Sequence, residues 1–205
     1  LLNIYIYILR HIYIYMGTTN TQLRDMLINF GVTNFKGCYF KDEIVNIEPS
    51  SSYIFNLESQ FDEYGNQNNG THWVAIVTND FNKAIYFDPF GQPAPKSLIK
   101  YLKNYDYGMT NKHIRSITSD LCGYFCVGYI YFVTRHSKRT RKLIKDTSIF
   151  LGLFEDLHKV KSNKNEYILS MFFKGDNKSI LENNNNVFKK ALSNSFQIEK
   201  IDLRL

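Results

Sequence analysis

An α+β fold, with a small mixed sheet and helices packed around it, is what this sequence predicts. Three observations carry that. The segments THWVAIVTN and AIYFDPF are short, apolar and rich in β-branched and aromatic residues, and the polar turn DFNK joins them as a hairpin. The run from Gly123 to His136, GYFCVGYIYFVTRH, is apolar almost all round and too long for a strand, which predicts a buried central helix. Amphipathic stretches stand before and after these segments, with no repeat and no linker between them.

Taken in order, LLNIYIYILRHIYIY (1–15) alternates Ile and Tyr and ends at Met16. It reads as an extension upstream of a single domain spanning 16–205, or as an extra strand. Residues 18–32 predict a helix: Thr18 or Thr21 can cap it, Leu23, Met26, Leu27 and Phe30 share one face, and Gly31 stops it. A loop then leads to the strand SYIFNLE, and FDEYGNQNNGT is a Gly/Asn-rich turn before the hairpin. Pro93 or Pro95 opens a helix over 96–105, KHIRSIT (112–118) is strand-like, and SDLCG is a turn. Further helices are expected at 153–160, 165–173 and 179–192.

Composition narrows the function classes. Apolar residues make up 44% and charged residues 21%, the balance of a globular protein with a sizeable core. The net charge of +6 permits a polyanionic partner. Three cysteines are too few for a disulfide scaffold and favour a reducing compartment. No apolar run reaches the roughly 18–20 residues of a membrane helix, so no membrane partner is expected.

Two of the cysteines stand in SDLCGYFC. Cys122 opens the predicted central helix, where free N–H groups and the helix dipole lower a thiol pKa. Gly123 would let another backbone, such as a substrate's, come close. A buried, inert thiol is the competing reading, and it is the natural one for Cys126, one turn further in. The i, i+4 spacing suits neither a zinc clip nor a disulfide, so no metal site is expected. His72, in GTHWVAIV, could be structural, and Asp88, in YFDPFG, could simply form its turn. Yet 88 − 72 = 16, and a hairpin of that length sets the acid beside the imidazole. A thiolate, an imidazole and a group that orients it are what a cysteine protease requires.

The combination of GTHWVAIVTNDFNKAIYFDPFG with SDLCGYFC resembles the adenovirus maturation protease (adenain) family and its relatives in virophages, Maverick/Polinton elements and large DNA viruses. MGTTNTQLRDMLINFG and CYFKDEI resemble that family's N-terminal region more loosely, and the likeness spans about residues 16–130. It implies an adenain/SUMO-protease-like fold with the nucleophile at the start of the buried helix. By matching position, Cys122 resembles the nucleophile, His72 the general base, Asp88 the acid that orients it, and Trp73 the indole that packs over the site and lines the groove with Gly123. One departure stands out: Arg115 takes the place of the family's oxyanion-binding Gln. That makes Arg115, with the Cys122 N–H, the oxyanion-hole candidate.

The resemblance implies a cysteine endopeptidase that processes viral capsid and core precursors after Gly-Gly or Gly-x, in the virion and the virus factory of an infected cell. Other readings are a deubiquitinase or SUMO-protease-like isopeptidase, or a non-catalytic DNA-associated virion protein. Arg135, Lys138, Arg139, Arg141 and Lys142 form a candidate contact for viral DNA, or else a solvated helix end. The residues call for no cofactor. DNA and a viral peptide are activators the resemblance implies, although no cysteine between Cys38 and Cys122 could tether such a peptide.

Overall fold

One five-stranded mixed sheet organises the computed structural model, which describes residues 18–68, 70–136, 142–162 and 164–173. The strands are β1 (Phe35–Phe40), β2 (Ser52–Asn56), β3 (Trp73–Thr78), β4 (Lys83–Phe87) and β5 (Asp106–Met109), and they lie in sequence order across the sheet. The central strands β2, β3 and β4 run antiparallel, while β1 and β5 join the edges in parallel. The helices are α1 (Asn20–Asn29), α2 (Lys96–Leu102), α3 (Cys122–His136), α4 (Leu143–Gly152) and α5 (Lys164–Phe172).

Alternation along β3 divides the interior in two. Trp73, Ala75 and Val77 face a cluster built on α3, with Leu23 and Leu27 of α1 and Phe150 of α4. Val74 and Ile76 face a second cluster with Leu98 and Leu102 of α2. The period-2 rule for strands requires this split. Nearly every α3 side chain from Phe125 to Val133 is buried, so α3 is the central helix that its composition predicts. Phe87 of β4 stacks on Tyr129 of α3 at 4.3 Å, fixing the helix against the sheet.

The hairpin turn is held by Asn79, whose side-chain oxygen accepts the N–H groups of Phe81 and Lys83. Helix α1 starts at a capping box made by Thr19 and Gln22, so neither Thr18 nor Thr21 is the cap. It ends where Gly31 N–H bonds Ile28 C=O and Val32 N–H bonds Leu27 C=O.

Three expected elements differ. FKGCYF, given no element of its own beyond a loop expected from Tyr39, is the edge strand β1. A register shift between Phe35 and Gly37 breaks its alternation and hides it from a periodicity reading. KHIRSIT is not a strand, because its N–H groups serve a turn: Ile114 and Arg115 both donate to Pro89 C=O. The strand in that region is Asp106–Met109. Residues 153–160 form turns around Asp156, and the helix lies just before them, as α4. LIKDTSIFLG contains β-branched residues of modest helix propensity, and burial of Leu143, Ile149, Phe150 and Leu151 overrides that.

The expected helix at 179–192 and the extension 1–15 lie outside the described residues. No helix among the described residues is long and apolar enough to cross a membrane.

Candidate active site

The site forms where the hairpin meets the start of α3. In the β3–β4 register Ala75 faces Phe87, so the residues flanking the strand ends come together. His72 Nε2 lies 2.8 Å from Asp88 Oδ1. Both groups are withdrawn from solvent, the His72 side chain 14% exposed and that of Asp88 1%.

Asp88 is locked in place by its own turn. Its Oδ1 accepts the Phe90 N–H at 2.7 Å, its N–H donates to Thr110 Oγ1 at 3.1 Å, and its C=O accepts the Gly91 N–H at 2.8 Å. Gly91 has φ +68°, and a Cβ there would come within 2.6 Å of the Asn111 carbonyl carbon. Only glycine satisfies both demands. The 111–115 segment closes over this turn, and α5 holds that segment in turn. Asn165 Nδ2 donates to Ile114 C=O at 2.9 Å, and Glu166 Oε1 accepts the Ser116 N–H at 3.2 Å.

With Nε2 committed to Asp88, the second imidazole nitrogen is left for the thiol. Nδ1 is buried without a hydrogen-bond partner. The electrostatics still couple the pair. For His72, burial pushes the pKa down, but the hydrogen bond to Asp88 and the interaction with Cys122 outweigh it and hold the value at about 9. For Cys122, burial pushes the thiol up. The interaction with His72, the Arg115 charge and the Trp73 backbone more than offset this, and the thiol stays below its ordinary value. These opposite shifts favour charge on both partners. Cys122 is the first residue of α3, and the leading N–H groups of a helix lie outside its own ladder, where they can meet an anion.

Other expected site residues sit differently. Trp73 is 4% exposed and its indole N–H donates to Thr18 C=O at 3.1 Å, so its ring belongs to the core and lines no open groove among the described residues. The space a Cβ would take at Gly123 is occupied by Thr18 and by Leu23, whose Cδ2 lies 2.7 Å away. What Gly123 makes room for is therefore two side chains of this chain, Thr18 and Leu23. Arg115 is 6% exposed, and its Nε and Nη2 both donate to Ser119 C=O. Arg135 packs on Tyr131, with Cζ 5.1 Å from the ring centroid and Nη1 donating to the hydroxyl. Lys142 is exposed beside α4, and Lys138, Arg139 and Arg141 lie outside the described residues.

Two contributors went unforeseen. Phe90, inside the turn, stacks on the His72 ring at 4.8 Å and 27°. Thr110 anchors the Asp88 backbone from beyond α2. Phe90 had a signal, an aromatic where a tight turn needs none, whereas Thr110 had none.

Among the described residues no group of three or more His, Cys, Asp or Glu side chains is placed to hold a metal ion. A scan of protein-family models finds no match to the chain, and neither does a search of curated proteins.

Proposed function

We propose that this protein is a cysteine endopeptidase of the adenain type, with Cys122 as nucleophile, His72 as general acid–base and Asp88 as the residue that orients it. One observation carries the reading: a buried imidazole held by a carboxylate at 2.8 Å and a helix-opening thiol shift each other's protonation in opposite directions. A merely buried cysteine would be pushed up instead, as Cys126 is.

The chemistry follows from which atoms are free. The Cys122 thiolate attacks the scissile carbonyl carbon and a C–S bond forms. The oxyanion forms beside the α3 N-terminus, where the Cys122 N–H can donate to it. The imidazolium, its Nε2–H directed at Asp88, gives its Nδ1 proton to the leaving amine as the C–N bond breaks. His72 then takes a proton from water, whose oxygen attacks the thioester, and the acid leaves as the thiolate returns.

The resemblance extends the proposal to viral capsid and core precursors cut after Gly-Gly or Gly-x, in the virion or the virus factory. A peptide library with Gly-Gly and Gly-x sites, incubated with and without DNA and read by mass spectrometry, tests this. Cleavage after glycine in wild type and none in Cys122→Ala is expected. A library left intact under both conditions, or cleaved equally by Cys122→Ala, contradicts it.

A further inference from the structure

Arg115 links three parts of the site. Its backbone N–H donates to Pro89 C=O at 3.1 Å, in the turn that carries Asp88. Its guanidinium grips Ser119 C=O through two nitrogens, in the loop that runs on to Cys122, with the Asp120 carboxylate 3.9 Å away. Its Cζ lies 4.5 Å from the centroid of Phe90, the ring on which His72 stacks. A buried guanidinium is unfavourable unless its donors and charge are met, and here a carbonyl, a carboxylate and an aromatic face meet them.

We infer that Arg115 is a positioning residue for the Cys122–His72 pair rather than an oxyanion donor, and that Phe90 is the platform through which it reaches the imidazole. The inference rests on the reading of Cys122 and His72 as nucleophile and base. The forked, planar guanidinium can chelate one carbonyl while lying on a ring, which an ammonium cannot do. Its permanent charge also favours the thiolate, a contribution that the amide of a Gln in this place would lack.

The two roles separate in the resting protein. The hydrogen bond of an oxyanion donor acts only once an oxyanion forms, so a variant that keeps the charge at this place, Arg115→Lys or Phe90→Leu, would leave the free thiol unchanged. A positioning residue shapes the pair before any substrate arrives. The test is the pH profile of Cys122 alkylation by iodoacetamide, mapped by mass spectrometry in the full chain, for wild type, Arg115→Met, Arg115→Lys, Phe90→Leu and His72→Ala, each kept below its melting temperature.

The expected result is that Arg115→Met and Phe90→Leu raise the thiol midpoint by about one unit, cutting alkylation at low pH about tenfold, and that Arg115→Lys recovers less than half of that. Phe90→Leu keeps both charge and fork, so it carries the test if Arg115→Met fails to fold. A wild-type profile in Arg115→Lys would reduce Arg115 to a nearby charge. A wild-type profile in Arg115→Met or in Phe90→Leu would show no positioning at all. Any of these results overturns the proposal. A wild-type profile in His72→Ala would instead remove the nucleophile–base reading beneath it, so the two failures are told apart.

Discussion

Cys122 and Cys126 lie one turn apart on the same helix and are almost equally buried, at 4% and 0% exposure. Their thiols are nevertheless driven in opposite directions. Cys126 is pushed well up by burial, and its Sγ–H is spent on Trp73 C=O at 3.3 Å. Cys122 suffers the same burial but has His72, Arg115 and the Trp73 backbone around it, and it is held down. Burial does not decide the direction of the shift here. The partner does, and the partner is set by a single turn of helix.

The sharpest way to break the comparison is to exchange the two roles. Cys122→Ala should abolish peptidase activity, a loss of about 10⁴-fold or more, as for other nucleophiles of catalytic triads. Steady-state kinetics on a cleaved peptide would check it. Asp88→Asn should lower kcat by about 10²–10⁴ with little change in KM. The amide can donate to Nε2, which forces the proton onto Nδ1 and blocks it from accepting the thiol proton. NMR titration of His72 in that variant should show the pKa falling from about 9 towards the ordinary imidazole range.

The pH dependence has a definite sign. His72 is raised, so its charged form is complete below the ordinary value of about 6.5 and is lost as pH rises through about 9. Cys122 is depressed, so its thiolate is lost as pH falls through a value below that of a free thiol. The proposed ion pair is expected between these limits. A kcat/KM profile should therefore be bell-shaped, with its alkaline limb near 9 and its acid limb below about 8.5.

Smaller effects fall on stability. Gly91→Ala places a Cβ against Asn111 backbone at positive φ, and should destabilise the fold by about 1–3 kcal/mol while loosening Asp88. Cys126→Ala should cost about 1 kcal/mol and leave Cys122 alkylation as it was. Thermal unfolding followed by circular dichroism would rank the two.

The hairpin and the central helix were legible because their signals are local. A separation of sixteen positions from His72 to Asp88, with a short turn between, leaves one way to pair, and an apolar run as long as α3 has only the core to enter. What was not legible depends on distant partners. Edge strand β1 has a bulge that interrupts its alternation, and α4 is a helix because Phe150 and Leu151 are buried, despite its β-branched residues. At the site, Ile114 and Arg115, adjacent and both buried, sit in a stretch whose β-branched residues imitate a strand. Those residues instead close over a turn more than twenty positions upstream. Trp73 and Gly123 were read as groove, since nothing in their neighbourhood announces that Thr18 covers both.

The central claim is that His72 makes Cys122, and not Cys126, a thiolate. The direct measurement is alkylation of each cysteine as a function of pH, mapped by mass spectrometry in wild type and His72→Ala. Rapid modification of Cys122 well below about 8.5, silence at Cys126, and slowing of Cys122 in His72→Ala are the predicted results. Equal rates at the two cysteines, or a Cys122 indifferent to the loss of His72, would contradict the account.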